Sequence, residues 1–236
     1  SKAKMAQSRM KALDKMERVE DVDDDNPTVN FSFKFTKPSG RHVVRIEHVT
    51  KRYPNVHILD DAEAVIEKGD KIALIGANGK GKSTLLRIIA GTEKADGTCE
   101  TGHNVTTTFF AQHQLESLHL DNAILEELQA FAPKHTDTEL RSILGCFLFT
   151  GDDVFKKIKV LSGGEKSRVA LAKSLTTDSN FLILDEPTNH LDIQSVNILI
   201  QALQQFEGTF IAVSHDRYFL DNIANKIWFI EEEKIK

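Results

Sequence analysis

The chain has 236 residues, of which 40% are hydrophobic, and its formal net charge at pH 7 is −5. A chain of this length can bury one sizeable core, and its mild acidity argues against a surface that binds nucleic acid throughout. The sequence contains no apolar run long enough to span a membrane and no segment like a cleaved signal. Cys99 and Cys146 lie far apart, without metal-ligand spacing. This predicts reduced thiols in a cytoplasmic protein, with a disulfide as the alternative.

The first twenty residues predict a helix. Residues 2–20 contain neither Gly nor Pro, and Met10, Leu13 and Met16 fall close to one apolar stripe. The segment is basic within an acidic chain, as a local contact with nucleic acid requires. A solvated helix face is the alternative, because most charge runs are solvated. The basic residues are Lys2, Lys4, Arg9, Lys11, Lys15 and Arg18.

Residues 21–40 predict a connection between this helix and the main domain. The chain is acidic and turn-prone up to about residue 30, after which Phe31, Phe33 and Phe35 alternate as in an edge strand. Pro38 then marks the approach to a domain over 41–236.

A glycine-rich loop predicts a phosphate site. Residues 76–84 complete the pattern G-x-x-x-x-G-K-[ST], between a predicted strand over 71–75 and a predicted helix from Ser83. The glycines let backbone N–H groups turn toward an anion, Lys82 can reach the outer phosphates, and the Ser83 hydroxyl can bind Mg²⁺. The positive end of the helix faces the same phosphates. The candidate nucleotide-binding residues are Gly76, Ala77, Asn78, Gly79, Lys80, Gly81, Lys82, Ser83 and Thr84.

Beyond a predicted strand that ends before Gln112, the pattern becomes helical over about 115–160. One helical stretch covers 123–128. Another covers 138–144, with Thr138 as its predicted cap and Gly145 at its end.

A second glycine pair predicts another surface for an anion. Ser162 and Glu165 have capping-box spacing at the start of an amphipathic helix, and helix initiation is therefore the simplest interpretation. Capping does not account for Gly163 and Gly164, which permit a helix N-terminus to approach a phosphate closely.

Two later apolar strands end in polar residues. The strand over 181–185 ends in Asp185 and Glu186, and His215 follows the strand over 209–213. Asp185 is placed to hold Mg²⁺, and Glu186 to polarise an attacking water. The alternatives are an ordinary polar turn after the first strand and a buried capping histidine after the second. Strands that alternate with helices from residue 180 onward predict a parallel sheet with helices on both faces.

The order of these motifs resembles that of the ATP-binding-cassette (ABC) ATPases over roughly residues 43–235. The resemblance implies an α/β P-loop NTPase fold with a β-rich N-terminal subdomain and an α-helical insert. It makes the glycine loop a Walker A motif and the strand before Asp185 a Walker B motif. It also implies that Tyr53 stacks on adenine, and that Gln112 contacts Mg²⁺ and senses the γ-phosphate. The alternatives are an aromatic that covers a sheet edge for Tyr53 and an ordinary loop amide for Gln112.

The resemblance further implies ATP hydrolysis by paired cassettes, because the phosphate loop of one cassette and the signature helix of another enclose each ATP. On that basis Ser162, Gly163, Gly164 and Glu165 contact the ATP of a second cassette, which is either the first half of a longer parent chain or a second copy of this chain. Asp192 couples the two sites, and His215 contacts the γ-phosphate. The implied catalytic residues are Glu186, His215 and Lys82, and the implied metal ligands are Ser83, Gln112 and Asp185.

The amino-acid sequences of three stretches, 147–154, 185–192 and 214–221, resemble those of the F-type cassette proteins. Members of that subfamily are tandem cassettes without membrane domains, and many act on ribosomes, where a helical linker approaches tRNA. We therefore expect residues 1–20 to end such a linker and the remainder to be a second cassette. The alternatives are the nucleotide-binding subunit of a transporter and a DNA-repair or chromosome ATPase, although the sequence leaves no room for a long coiled coil between Ser83 and Leu161.

Overall fold

The structure is a computed structural model, and it describes residues 37–54, 56–111 and 117–236. The predicted N-terminal helix, the edge strand predicted after it and Gln112 lie outside the described residues.

Strands and helices alternate over residues 163–231, whereas the earlier part of the described chain has strands or helices in succession. The strands are β1 (His42–Tyr53), β2 (Val56–Glu67), β3 (Lys71–Ile75), β4 (Asp96–Thr101), β5 (Thr107–Phe110), β6 (Phe181–Asp185), β7 (Thr209–Val213), β8 (Lys226–Glu231) and β9 (Lys234–Ile235). The helices are α1 (Lys82–Ile89), α2 (Ile124–Phe131), α3 (Asp137–Cys146), α4 (Gly163–Leu175), α5 (Ile193–Gln205) and α6 (Arg217–Ile223). Two 3₁₀ turns cover Gly151–Phe155 and Ile158–Val160. Among the described residues, the helices lack the length and apolar character that a membrane crossing needs.

A six-stranded sheet in the order β5-β6-β7-β3-β8-β9 forms the central layer. Neighbouring strands from β5 to β8 are parallel, and β9 joins β8 in the antiparallel direction. Both β6 and β7 are buried at every position, because the sheet is covered on both faces. The continuous apolar runs read from the sequence are therefore interior strands, and the predicted α/β fold is confirmed.

A smaller antiparallel sheet in the order β2-β1-β4 covers one face of this layer. Val44, Ile46 and Val49 of β1 are buried in one apolar cluster with Leu85 of α1 and Ile183 of β6. Helix α1 and the residues before it are therefore held between two sheets.

The other face of the central layer packs against helices. Leu171 of α4 and Leu199 of α5 share an apolar cluster with Phe210 of β7. The same cluster continues through Leu128 of α2 and Leu140 of α3, so the helical insert packs onto the main core instead of forming a separate one.

The predicted cap of α3 at Thr138 is wrong, because the helix begins at Asp137 with Thr136 as its cap. The Thr136 hydroxyl accepts a hydrogen bond from the Glu139 backbone N–H at 3.3 Å, and the Glu139 carboxylate accepts one from the Thr136 N–H at 2.9 Å. Thr136 has a glutamate three residues later, whereas Thr138 has Arg141, which offers no acceptor.

The fold predicts which strand positions its stability depends on. Replacing Phe181, fully buried in β6, with alanine should lower the free energy of unfolding by about 3–5 kcal/mol, because the truncation leaves a cavity in a rigid sheet. Urea unfolding measures this change. The matched variant Ile227→Ala, on an exposed position of β8, should cost less than about 1 kcal/mol. Equal losses at the two positions would contradict the assigned strand faces.

Candidate functional site

The carboxyl ends of three adjacent strands carry the candidate site. Because β3 lies beside β7 and β7 lies beside β6, the segments that follow these strands meet at one edge of the sheet. Ligands of open α/β sheets bind at this kind of edge.

The loop that follows β3 has the geometry of an anion cradle. Gly79 and Gly81 have φ values of 75° and 93°, in the left-handed region. A side chain at Gly81 would also collide with Ile58 of β2. Gly81 caps α1 without a side chain, and the first N–H groups of the helix are therefore available to a phosphate.

The Lys82 ammonium lies over this loop. It donates hydrogen bonds to the backbone oxygens of Gly76 at 2.8 Å and Ala77 at 3.2 Å. A pocket of 320 Å³ opens beside it, and it is lined by the loop together with Glu186, Val213 and His215. The structure thus brings the glycine loop and the three predicted catalytic side chains, Lys82, Glu186 and His215, into one cavity.

Ser83 and Asp185 contact each other across the site. The Ser83 hydroxyl donates a 3.0 Å hydrogen bond to a carboxylate oxygen of Asp185, which is 6% exposed. A hydroxyl and a carboxylate are the oxygen ligands that Mg²⁺ prefers. Within the described ranges, the structure has no group of three His, Cys, Asp or Glu residues that could hold a metal. The two residues therefore fit a magnesium ion that takes its remaining ligands from phosphate and water.

Glu186 adopts a strained backbone conformation, with φ at 52°. Its backbone N–H donates to the Val213 carbonyl at 2.9 Å, which ties the residue to the end of β7. Its carboxylate accepts a hydrogen bond from the His215 backbone N–H at 3.2 Å and lies 3.4 Å from the imidazole Nε2. The Glu186 side chain is 13% exposed and that of His215 is 65% exposed. The carboxylate therefore has a fixed position, and the imidazole is open to a ligand.

Tyr53 lies at the end of β1, and the residue is 38% exposed. The Lys51 ammonium is 4.9 Å from the ring centre and forms a 2.6 Å ion pair with Glu93. Tyr53 does not line the 320 Å³ pocket. Its role with adenine stays a prediction.

The signature residues form the start of α4. The Ser162 hydroxyl accepts a hydrogen bond from the Glu165 backbone N–H at 3.3 Å, and the Glu165 carboxylate accepts one from the Ser162 N–H at 2.8 Å. The latter bond lowers the pKa of Glu165. The predicted capping box is confirmed. None of residues 162–165 lines the pocket of the phosphate loop, so one chain does not bring the two surfaces together.

Asp192 caps α5 and accepts a 2.7 Å hydrogen bond from the Ser195 backbone N–H, which lowers the pKa of Asp192. The guanidinium of Arg168, on α4, lies 3.4 Å from the Ser195 hydroxyl and 3.9 Å from the Asp192 carboxylate. The guanidinium also lies 5.2 Å from the centre of the Phe149 ring. Arg168 was not predicted from the sequence. A cation on the largely buried face of a helix does indicate a polar partner, because charged side chains are seldom buried unpaired.

The fold and the phosphate-loop site define a nucleotide-binding cassette of the P-loop type. The ABC transporter family model matches residues 41–189, and a second ABC transporter model matches residues 1–31. The chain therefore belongs to the ABC family, and its fold is that of an ABC ATPase cassette.

Curated relatives point to the F-type branch. YdiF of Bacillus subtilis (strain 168) is 43% identical over 238 residues, which cover 100% of this chain and 37% of the relative. The "Probable ATP-binding protein YheS" of Escherichia coli (strain K12) is 39% identical over 238 residues, with the same coverage. ABC transporter F family member 5 of Arabidopsis thaliana is 39% identical over 231 residues, 96% of this chain and 33% of the relative. The predicted resemblance is confirmed, and the chain spans little more than a third of these relatives.

Two solved structures share the fold. One is the dimeric bacterial ABC transporter cassette MJ0796, with a TM-score of 0.70 and 21% identity. The other is a dimeric post-hydrolysis state of MJ0796 bound to ADP and Pi, with a TM-score of 0.69 and 22% identity. Each match covers 82% of this chain and 96% of the other.

The geometry predicts that nucleotide binding depends on the Lys82 ammonium. Lys82→Ala should weaken ATP binding by about tenfold to a hundredfold, because hydrogen bonds to charged groups contribute about 1.5–3 kcal/mol. Titration with a fluorescent ATP analogue measures the change. Lys68→Ala, at an exposed position in the turn between β2 and β3, is the matched control and should bind as the unchanged chain does. Unaltered affinity in Lys82→Ala would exclude the proposed phosphate contact.

Proposed function

We propose that the chain binds Mg·ATP at the phosphate loop and hydrolyses it when a second cassette closes over the γ-phosphate. The observation that carries the proposal is the Glu186 carboxylate, held in the same pocket as the phosphate loop by a strained backbone and two bonds to the β7 edge. A fixed carboxylate beside a phosphate cradle is suited to orient an attacking water.

Each residue of the pocket has a part in this proposal. The Lys82 ammonium exchanges the Gly76 and Ala77 carbonyls for phosphate oxygens, and its charge offsets the negative charge that develops in the transition state. Ser83 and Asp185 hold the magnesium ion, which supplies further positive charge to the phosphates when bound. Glu186 orients or deprotonates the water. The exposed imidazole of His215 contacts the γ-phosphate.

Three further roles complete the proposal and follow the family pattern. Tyr53 stacks on adenine, and Gln112 contacts Mg²⁺ and senses the γ-phosphate. Asp192 couples the two sites of a pair. The contact of Asp192 with Arg168 supports coupling, because Arg168 belongs to the helix that begins with the signature residues.

The second cassette is needed because the signature residues lie outside the pocket of their own chain. Pairing is supported by the dimeric state named for both MJ0796 structures. In the parent protein, we propose that the partner is another cassette of the same polypeptide. Residues 1–20 would form the end of a linker, 21–40 a connection, and 41–236 the cassette with its helical subdomain over about 115–160.

For the biological role, we propose a ribosome-associated translation factor in the cytoplasm. Similarity to members of the F family supports this role, and the basic residues within 2–20 supply the positive charge that a local contact with RNA needs.

The role of Glu186 has a direct test in the paired cassette. Glu186→Gln should keep ATP affinity and slow hydrolysis by about 10²–10⁴-fold, the contribution typical of a positioned general base. The pair then stays closed with ATP bound, because hydrolysis no longer separates the two cassettes. Analytical ultracentrifugation detects the closed pair. Glu207→Gln makes the same chemical change at an exposed site between α5 and β7 and should hydrolyse ATP normally. Near-normal turnover in Glu186→Gln would remove Glu186 from the mechanism.

The ribosomal role is tested by co-sedimentation. The full-length parent with Glu186→Gln and the equivalent change in its other cassette should pellet with ribosomes in ATP, and not in ADP or without nucleotide. Exchanging the basic residues of 2–20 for glutamine should reduce pelleting without changing ATP affinity. Intact ATP binding with no pelleting in any nucleotide would refute the ribosomal role and favour a transporter or repair partner.

A further inference from the structure

A buried carboxylate lies in the helical insert, away from the phosphate-loop pocket. The Glu127 side chain, on α2, is 2% exposed. It accepts hydrogen bonds from the Lys173 ammonium at 2.6 Å and the Asn122 amide at 2.9 Å, and it lies 3.1 Å from Nδ1 of His119. A buried ion is costly unless it is paired and hydrogen-bonded in this way.

Burial and hydrogen bonding act in opposite directions on the pKa of this carboxylate. Burial works to raise the pKa of Glu127, but the hydrogen bonds from Lys173 and Asn122 hold the pKa below its ordinary value. Lys173 in turn lies 4.9 Å from the ring centre of Phe131, at the far end of α2.

The Glu127 contacts join three segments of the chain. Glu127 belongs to α2, and Lys173 belongs to the last turn of α4. His119 and Asn122 belong to the segment 117–122, which precedes α2. One carboxylate thus connects the insert to the helix whose other end carries the signature residues.

The same segment also holds the chain just before the signature residues. The backbone N–H groups of Ile158 and Lys159 donate to the carbonyls of Asn122 at 3.0 Å and Leu120 at 2.9 Å. The Lys159 ammonium forms a 2.9 Å ion pair with Asp121. The 3₁₀ turn over 158–160 leads directly into the signature at Leu161. Segment 117–122 is therefore connected to the last turn of α4 through Glu127 and Lys173, and to the 3₁₀ turn that precedes α4 through backbone hydrogen bonds.

We propose that Glu127 is a positioning residue that sets the orientation of α4, and with it the placement of Ser162, Gly163 and Gly164 against the nucleotide of a second cassette. The functional part of this inference rests on the proposed function, because it assigns those residues to the partner's ATP. The residue touches no nucleotide and acts only through Lys173 and Asn122.

A positioning role predicts an effect at a distance. Lys173 and Ser162 are eleven residues apart on α4, or about 16 Å at the rise of an α-helix. If the carboxylate only stabilises its surroundings, its removal should loosen α2 and the last turn of α4. If the carboxylate orients α4, the signature residues at the start of α4 should also become more mobile.

The test uses the double variant Glu127→Gln/Lys173→Met, because Glu127→Gln alone leaves a buried ammonium without its carboxylate. Hydrogen exchange of the nucleotide-free chain, followed by mass spectrometry, should show at least about fivefold faster exchange over 158–166, the lower end of typical coupling between sites. Exchange over 71–90, around the phosphate loop, should not change. Asn122→Ala removes one bond to the carboxylate, keeps the Lys173 pair, and should give a smaller change in the same direction.

Glu126→Gln is the matched control, because it makes the same chemical change at an exposed position of α2. The thermal midpoint of the double variant should match that of this control, which excludes general destabilisation. Faster exchange confined to α2 and the end of α4, or faster exchange in all segments, would overturn the proposal.

A functional measurement in the full-length parent completes the test. The double variant should lower kcat for ATP hydrolysis at least about fivefold and leave KM unchanged, because nucleotide still binds its own phosphate loop. An unchanged kcat would overturn the assignment of Glu127 to pairing. ATP binding to the unsubstituted chain is measured alongside. Failure to bind would refute the proposed function, whereas the exchange result on α4 stands independently of it.

Discussion

The hydrogen bond between Ser83 and Asp185 depends on the whole topology of the central sheet, because it joins residues that are 102 positions apart. It forms only if β3 and β6 run in the same direction and β7 lies between them. Parallel strands need crossover connections, and here those connections include α4 and α5, which cover one face of the sheet, while α1 and the small antiparallel sheet cover the other. Packing of the core and assembly of the pocket are thus consequences of one strand order.

Residues that follow a fixed local rule could be predicted from the sequence. The glycine loop, the apolar run that ends at Asp185 and the capping box at Ser162 each satisfy a rule that involves only neighbours in the chain. The failed cap at Thr138 belongs to the same class, since Thr136 offers the better local pairing. In these places, short-range chemistry determines the structure and the sequence pattern carries enough information.

Long-range partners could not be predicted in the same way. An amphipathic pattern indicates that a face is buried, but it does not indicate what lies opposite. The patterns of α2 and α4 therefore gave no sign that Glu127 meets Lys173 or that Arg168 reaches the cap of α5. The left-handed backbone of Glu186 is also unexpected for a glutamate, and it is maintained by bonds to another strand. Such strain is concentrated at functional sites because the surrounding fold compensates for it.

The hydrogen bonds of Lys82 to the Gly76 and Ala77 carbonyls have a consequence for product release. When no phosphate is in reach, the ammonium is not left to water, because two carbonyl oxygens of its own loop lie within hydrogen-bond distance. Hydrogen bonds within the loop thus take the place of hydrogen bonds to phosphate. This lowers the free-energy difference between the loop with nucleotide bound and the loop without it. The two carbonyls thereby compete with phosphate for the ammonium, and this competition limits the affinity of the loop for ADP as well as for ATP.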